Sequence, residues 1–244
     1  MAHSLPPPGD EAALPDEAEA VRARYQRRAR KDPRYSLFDP AALQAWQERQ
    51  RAILAMLGRG FQDPSTCRVM EVGSGDGGNL LDLLRWGFEP DRLAGIDLLP
   101  ERHHCARQRL PSAVSLVLGD ACDVLEAQVR TQQDLYDIVW QSTVFSSLLD
   151  DRVQQRLARA MWSALRPGGA VLWYDFTVDN PSNPDVRGVS LRRVRSLFPE
   201  AHVTARRLTL APPLARSLAR VHPRLCDVFN WPWLRTHCLA WLAK

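Results

Sequence analysis

From about residue 68 to residue 176 the chain alternates short apolar segments with amphipathic helical ones. Five apolar segments occur in this stretch: RVMEV, LAGIDL, VSLVLGD, YDIVWQS and AVLWYDF. Strands that are apolar along nearly their whole length are typical of a sheet buried on both faces, and the helices between them must cross over that sheet. The alternation therefore predicts a doubly wound, mostly parallel α/β sheet.

The pattern changes after Phe176. A loop rich in Pro and Asn (DNPSNPD) is followed by a short helical stretch near residues 191–198 and by two further strand candidates, HVTARRLTL and HCLAWLA. A helical insert over residues 211–235 separates these two candidates. The full pattern predicts a Rossmann-like, seven-stranded sheet with an antiparallel hairpin at its C-terminal edge.

Three segments are expected in the domain organisation. Residues 1–20 are rich in Pro, Ala and acidic side chains and have few large apolar ones, so we expect a disordered tail. Residues 21–60 are predicted to form an N-terminal helical cap, whose second helix begins at Asp39-Pro40, an N-cap residue followed by proline in the first turn. Residues 61–244 then form the sheet-containing domain, which includes the insert.

Composition fits one ordinary globular domain of 244 residues with a formal charge of +4. The arginines concentrate in two stretches, near residues 22–34 and 187–235, which leaves open an anionic partner such as RNA. The five cysteines form no C-x-x-C pair, the first residues lack the pattern of a signal peptide, and no apolar run is long enough to span a membrane. These features predict a cytoplasmic protein.

The strongest motif runs from Val69 to Leu80, where a strand leads into EVGSGDGG and then into a helix. Glycine permits a positive φ in the turn, and the first turn of a helix offers unpaired N–H groups to a ligand. Gly73, Gly75 and Gly78 also satisfy the G-x-G-x-x-G pattern, so this loop by itself is compatible with a nicotinamide dehydrogenase as well. It predicts a ligand held by the main chain.

Asp97 ends the next strand, 22 residues after Gly75. In nucleotide-binding α/β units an acidic residue at this place accepts hydrogen bonds from the ribose hydroxyls. The alternative is a surface aspartate before a turn. The order of strand, glycine loop and acid favours the ribose interpretation.

Further signals surround this loop: Glu71 inside the first strand, Gly119-Asp120-Ala121 after the third, and LRPGG before the fifth. With these motifs, the chain resembles the class I S-adenosylmethionine-dependent methyltransferase family from about Thr66 to Phe176. YSLF, TVFSSLLD, WYDF and the closing RTH segment are similar to bacterial methyltransferases of polysaccharide and secondary-metabolite pathways. S-adenosylmethionine is the cofactor that the resemblance implies.

The resemblance also implies a set of cofactor contacts, which are shared among the strand ends and the N-terminal region: Tyr35, Glu71, Gly73, Ser74, Gly75, Asp97, Leu98, Asp120, Ala121 and Gln141. The glycine loop would approach the methionine part, with Glu71 placing its amino group. Asp97 would hold the ribose, and Asp120 with Ala121 would contact the adenine. Gln141 would line the methyl-transfer pocket, and Tyr35 would cover the adenosyl group.

A hydroxyl acceptor also has to lose a proton, and the candidate bases are Asp175 and His237. For Asp175 the alternative role is a loop cap. Asp175, Asp179 and Asn180 suggest the metal site of catechol-type methyltransferases, but Gln141 stands where that arrangement has another acid. We therefore expect no metal.

The acceptor that we expect is a hydroxyl of a small molecule or a glycan. The fourth strand ends in WQST rather than in the Asn-Pro-Pro-aromatic signature of amino-methylating nucleic-acid enzymes, which disfavours DNA as the substrate. RNA or protein methylation remains an alternative, as does a module that binds cofactor without turnover. The insert mixes leucine, arginine and tryptophan, as packed lids and membrane-interfacial helices both do; we favour a packed lid.

Overall fold

The computed structural model describes residues 17–27, 36–60, 63–131, 135–180 and 183–244. Within these ranges the strands form one seven-stranded sheet with the order β3-β2-β1-β4-β5-β7-β6. The strands are β1 (Val69–Val72), β2 (Leu93–Asp97), β3 (Ser115–Leu118), β4 (Tyr136–Ser142), β5 (Leu165–Phe176), β6 (His202–Leu210) and β7 (Arg235–Ala243).

Strands β1 to β5 pair in parallel, whereas β7 pairs antiparallel with both β5 and β6. The sheet confirms the predicted fold class, including the antiparallel C-terminal pair. Because β7 lies between β5 and β6, β6 is the edge strand on the side of the sheet opposite β3. Because β7 runs antiparallel, its first residues lie next to the carboxyl ends of the parallel strands: His237 of β7 pairs with Phe176, the last residue of β5.

Helices cover both faces of the sheet. They are α1 (Glu17–Arg27), α2 (Pro40–Gly60), α3 (Gly78–Arg85), α4 (Pro100–Arg109), α5 (Ala121–Arg130), α6 (Asp151–Ser163), α7 (Leu191–Leu197), α8 (Pro212–Val221) and α9 (Leu225–Val228). Helices α5, α6 and α7 pack on one face, and α2, α3 and α4 pack on the other. Alternate residues of a strand therefore belong to different cores: Val139 faces the first, while Ile138 and Trp140 face the second.

The N-terminal helices follow local signals in part. Asp39 caps α2 as predicted, since its Oδ1 accepts hydrogen bonds from the backbone N–H groups of Ala41 and Ala42, both at 2.9 Å. Helix α1, however, begins at Glu17, so residues 17–20 are helical and the tail predicted over residues 1–20 was wrong there. Residues 1–16 lie outside the described part of the chain.

The predicted insert consists of α8, α9 and a 3₁₀ turn at Pro232–Leu234. A small separate core holds it against α2 and the end of β6, and comprises Ala41, Leu210, Ala215 and Cys226. No helix in the described ranges has the length and apolar character needed to cross a bilayer.

Candidate active site

A cavity opens where β1 to β4 end, on the face that carries α5 and α6. It encloses about 820 Å³ of empty space, part of which is open to solvent. We call it the strand-end cavity. Five residues from the predicted cofactor set line it: Gly73, Asp97, Leu98, Asp120 and Ala121. Ligands of open α/β sheets bind at this edge because the connecting loops diverge there.

Asp97 is the best defined polar group of the cavity. The backbone N–H of Gly75 donates to its Oδ2 at 2.7 Å, and the N–H of Leu99 donates to its Oδ1 at 2.8 Å. Burial raises the pKa of Asp97, and these two hydrogen bonds oppose the shift. Each oxygen keeps a second acceptor site, so this carboxylate is able to accept from a diol.

The glycine loop is shaped by contacts within the protein. Gly73 has φ +67°, and a Cβ there would lie closer than 3.0 Å to Cγ2 of Val144. Because Gly73 has no side chain, Val144 packs against its backbone, and Gly73 also lines the cavity. Gly75 (φ +57°) donates to Asp97, and neither Gly75 nor Ser74 lines the cavity; the Ser74 side chain packs against Gly95 of β2.

Asp120 and Ala121 stand at the end of β3, where α5 begins. Asp120 is the N-cap of that helix, and its Oδ1 accepts a 2.7 Å hydrogen bond from the N–H of Cys122. Asp120, Ala121 and Cys122 all line the cavity. The first turn of α5 therefore faces the same space as Asp97, with the partial positive charge of a helix start.

Glu71 lies outside the cavity lining, on the opposite face of the sheet. Its Oε1 accepts a hydrogen bond from Nδ2 of Asn79, whose own Oδ1 accepts from Arg49 of α2. Burial raises the pKa of Glu71 to about 8, and Oε2 is a buried oxygen without a hydrogen-bond partner. An acid in this state has acceptor or donor capacity left for a further group.

Gln141 does not line the cavity either. It is fully buried, its Oε1 accepts from the N–H of Val144 at 3.1 Å, and its Nε2 donates to the carbonyl of Tyr174 at 3.4 Å. Gln141 thus fixes the loop that follows β4. That loop contains Thr143 at φ +58°, an unusual conformation for a β-branched residue, and Thr143 does line the cavity.

Helix α1 covers the cavity, which sequence reasoning missed. Glu17, Val21 and Tyr25 line it from this helix. The helix is held by Arg24, which is 6% exposed, donates to the carbonyl of Ser147 at 2.7 Å and forms a 2.6 Å ion pair with Glu17. The i, i+4 and i+8 spacing of the three lining residues is a signal that could have been found in the sequence.

Arg102 of α4 was also missed. Its guanidinium lies 4.6 Å from the ring centroid of Tyr25, and both side chains line the cavity. Tyr35, the aromatic residue that the sequence favoured for this place, lies outside the described residues.

Asp175 is fully buried and does not line the cavity. Its Oδ2 accepts from the N–H of Ser146 at 3.1 Å and its Oδ1 from its neighbour Phe176 at 2.9 Å. Burial raises its pKa to about 7. The geometry corresponds to the loop-cap alternative and not to the predicted base, because the carboxylate holds the turn after β4 instead of facing open space.

His237 is located at the start of β7, on the α2 side of the sheet. Its ring stacks on Tyr174 with centroids 5.1 Å apart, and its Nδ1 is 3.0 Å from Oγ1 of Thr236. Burial, with the nearby charge of Arg49, lowers its pKa to about 4. His237 is therefore neutral at pH 7, although it does not line the strand-end cavity.

The Asn- and Pro-rich loop has a structural role in its described part. Oδ1 of Asp179 accepts a 2.8 Å hydrogen bond from the N–H of Gly188, and the side chain of Arg187 pairs with Asp151. Among the described residues no three His, Cys, Asp or Glu side chains are grouped as they would need to be to hold a metal ion.

Residues 69–169 match a family described as a methyltransferase domain. No curated protein matches the sequence. These residues span β1 to the first half of β5 and include every strand that contributes to the strand-end cavity.

Three solved structures illustrate the structural similarity. One is a methyltransferase dependent on S-adenosylmethionine from Archaeoglobus fulgidus, with 17% identity, a TM-score of 0.57, and coverage of 83% of this chain and 98% of that one. Another from Mesorhizobium loti has 15% identity, a TM-score of 0.55, and coverage of 80% and 96%. The N-methyltransferase NodS from Bradyrhizobium japonicum WM9 has 18% identity, a TM-score of 0.58, and coverage of 82% and 96%. At these identities the similarity concerns the fold.

Proposed function

We propose that this chain, whose residues 69–169 match a methyltransferase domain, is a class I S-adenosylmethionine-dependent methyltransferase that methylates a hydroxyl group of a small molecule or a glycan. The observation that carries the proposal is the strand-end cavity, which joins the carboxylate of Asp97 to the first turn of α5 and the backbone of Gly73. S-adenosylmethionine is the cofactor.

The residues present fit this cofactor. Asp97 would accept from the ribose hydroxyls, and Asp120 with Ala121 would contact the adenine from the start of α5. The unpartnered Oε2 of Glu71, next to the glycine loop, fits the amino group of the methionine part. Gly73 lines the cavity and Glu71 does not, so Asp97 and Glu71 would contact opposite ends of one extended ligand.

The bound cofactor supplies an electrophilic methyl group, and the protein has to position the acceptor and exclude water. Helix α1 excludes water, because Glu17, Val21 and Tyr25 close the adenosyl side of the cavity. The hydrogen bond from Arg24 to Ser147 ties this cover to the loop after β4. Cofactor binding would therefore be coupled to the conformation of the loop after β4.

His237 is the base that we propose for the acceptor hydroxyl. It is neutral at pH 7 because its pKa is about 4, and a neutral imidazole has a lone pair with which to accept a proton. It lies beside Phe176, at the edge where the parallel strands end. Asp175 cannot share this task in the observed geometry, since both of its oxygens accept backbone hydrogen bonds and no solvent reaches it.

The surroundings of His237 support a hydroxyl-rich acceptor. The ring of His237 stacks on that of buried Tyr174, and the Arg49 guanidinium lies 4.8 Å from the Tyr174 centroid with its Nε buried and unpartnered. Aromatic rings beside an unpaired donor suit a sugar or another polyhydroxylated ring. The Gln-Ser-Thr end of β4 agrees with an acceptor other than a nucleic-acid amine.

Four arginines of the two stretches are paired with acids of the protein, which weakens the case for an RNA substrate. Arg24 and Arg27 of the first stretch pair with Glu17 and Asp185, and several arginines elsewhere are neutralised in the same way. Arg187 and Arg193 of the second stretch both pair with Asp151. Internally paired arginines release few counterions from a nucleic acid.

The test is a methyl-transfer assay with labelled cofactor against a panel of hydroxyl and amine acceptors, with the product identified by mass spectrometry. We expect methyl ethers. H237N should lower kcat by about 100-fold or more, the usual contribution of a general base, and should leave the affinity for S-adenosylhomocysteine unchanged. H202N, at an exposed position of β6, is the matched control.

Three outcomes would each refute a part of the proposal. Methylation of amines alone would exclude the hydroxyl assignment, and full activity of H237N would exclude the base. Failure of the wild-type protein to bind S-adenosylhomocysteine in calorimetry would contradict the role of the strand-end cavity itself.

A further inference from the structure

The most exposed apolar side chains of the described residues are concentrated in two short segments. Phe38 is 100% exposed, Val221 78%, Trp233 71% and Val228 61%. The large apolar side chains exposed outside these segments are single residues such as Leu118. Scattered exposure of this kind is ordinary, whereas a contiguous patch marks an interaction surface.

The two segments meet in space. Ala41, at the start of α2, packs with Ala215 of α8 and Cys226 of α9, and Nε2 of Gln44 donates to Oδ1 of Asp227. Residues 37–38, which precede the N-cap Asp39 of α2, therefore lie near the insert. We call the surface formed by residues 37–38 and 212–233 the insert face.

Aromatic rings form the centre of this face. Phe229 and Trp231 have centroids 5.7 Å apart, and Trp231 and Trp233 have centroids 5.3 Å apart. Both tryptophans are exposed although they contact one another. The insert thus packs against α2 through α8 and α9, as a lid would, and presents its aromatic turn outward.

Positive charge accompanies these rings. The insert face carries Arg216, Arg220 and Arg224 and a single acid, Asp227, which accepts a hydrogen bond from Gln44. None of the three arginines forms an ion pair with a residue that the structure describes. Arg24, by contrast, is paired with Glu17.

We propose that the insert face docks the protein on a membrane surface that carries anionic lipid headgroups. Tryptophan prefers the boundary between headgroups and acyl chains, and arginines on the same surface attract anionic lipid. The charge also argues against a second copy as the occupant, because a two-fold contact would bring the same arginines opposite one another. The acceptor of the methyl group does not enter this argument.

Sedimentation with vesicles tests the proposal. The full chain should bind vesicles of phosphatidylcholine with phosphatidylglycerol, bind pure phosphatidylcholine much more weakly, and dissociate as salt increases. Arg220→Gln with Arg224→Gln should weaken binding to the anionic vesicles by about 30-fold, the equivalent of about 1 kcal/mol per basic residue. Trp233→Ser with Val228→Ser should reduce it at least about tenfold.

Matched controls lie far from the insert face. Arg107→Gln with Arg130→Gln removes the same charge from exposed positions of α4 and α5, and Leu118→Ser removes an apolar side chain that is 47% exposed. These variants should bind as the wild type does. Circular dichroism melts establish that each variant is folded.

Three results would overturn the proposal. One is the absence of binding to anionic vesicles, and another is an equal loss of binding in the control variants. The third is a dimer, detected by light scattering without vesicles, that the Trp233→Ser and Val228→Ser variant dissociates; the face would then belong to a second copy.

Discussion

A side chain at Gly73 should destabilise the protein in a way that a matched glycine does not. Gly73 and Gly168 both have positive φ, +67° and +78°. A Cβ at Gly73 would overlap Val144, whereas a Cβ at Gly168 has nothing within 4 Å. The two substitutions to alanine therefore share the backbone strain and differ in the steric contact.

The magnitudes follow from these two terms. Alanine in the left-handed region costs about 1 kcal/mol at either position. Overpacking against Val144 should add about 1–3 kcal/mol at Gly73 alone. Because Gly73 also lines the strand-end cavity, a displaced loop should weaken binding of S-adenosylhomocysteine by about tenfold or more, whereas Gly168→Ala should not change it.

Urea unfolding and calorimetry of the two variants measure both effects. Val144→Ala in the Gly73→Ala background should recover most of the added loss, as a coupling of about 1–3 kcal/mol in a double-mutant cycle. Equal destabilisation of Gly73→Ala and Gly168→Ala, or the absence of coupling to Val144→Ala, would refute the assignment of Val144 as the side chain that requires a glycine.

Further predictions concern the carboxylates and the cover of the cavity. Asp97→Asn should lower the affinity for S-adenosylhomocysteine by about 10- to 100-fold in calorimetry, since one charge-assisted hydrogen bond is lost and an amide replaces an acceptor; unchanged affinity would contradict the ribose role. In the wild type Glu71, with a pKa of about 8 in the folded state, stays protonated while the unfolded chain ionises, so it lowers stability as pH rises from about 4.5 to 8. Glu71→Gln should remove that component, and a constant difference between the two proteins across this range, by urea unfolding, would be evidence against it. Arg24→Met should leave Glu17 without its ion-pair partner and accelerate hydrogen exchange of α1 by about 100-fold, equivalent to about 3 kcal/mol. Unaltered exchange would show that Arg24 does not hold the helix.

The sequence determined the features that depend on near neighbours along the chain. The strand, the glycine loop and the helix start at Gly78 form one continuous segment, and the Asp39 cap involves residues two and three positions away. The order of strands and helices follows from the same local periodicity. Asp97 and Asp120 could be placed because Asp97 ends β2 and Asp120 follows the end of β3 in the parallel sheet.

The tertiary structure decided what depends on contacts between distant parts of the chain. The spacing of Glu17, Val21 and Tyr25 places them on one face of α1, but that this face covers the cavity depends on contacts such as that of Arg24 with Ser147, 123 residues away. Asp175 is a strand-end acid in sequence, as Asp97 is, but the loop after β4 folds over it and Ser146 of that loop donates to its Oδ2, while its neighbour Phe176 donates to Oδ1. Such differences are set by which side chains a neighbouring element brings close, and the periodicity of a single strand or helix does not contain that information.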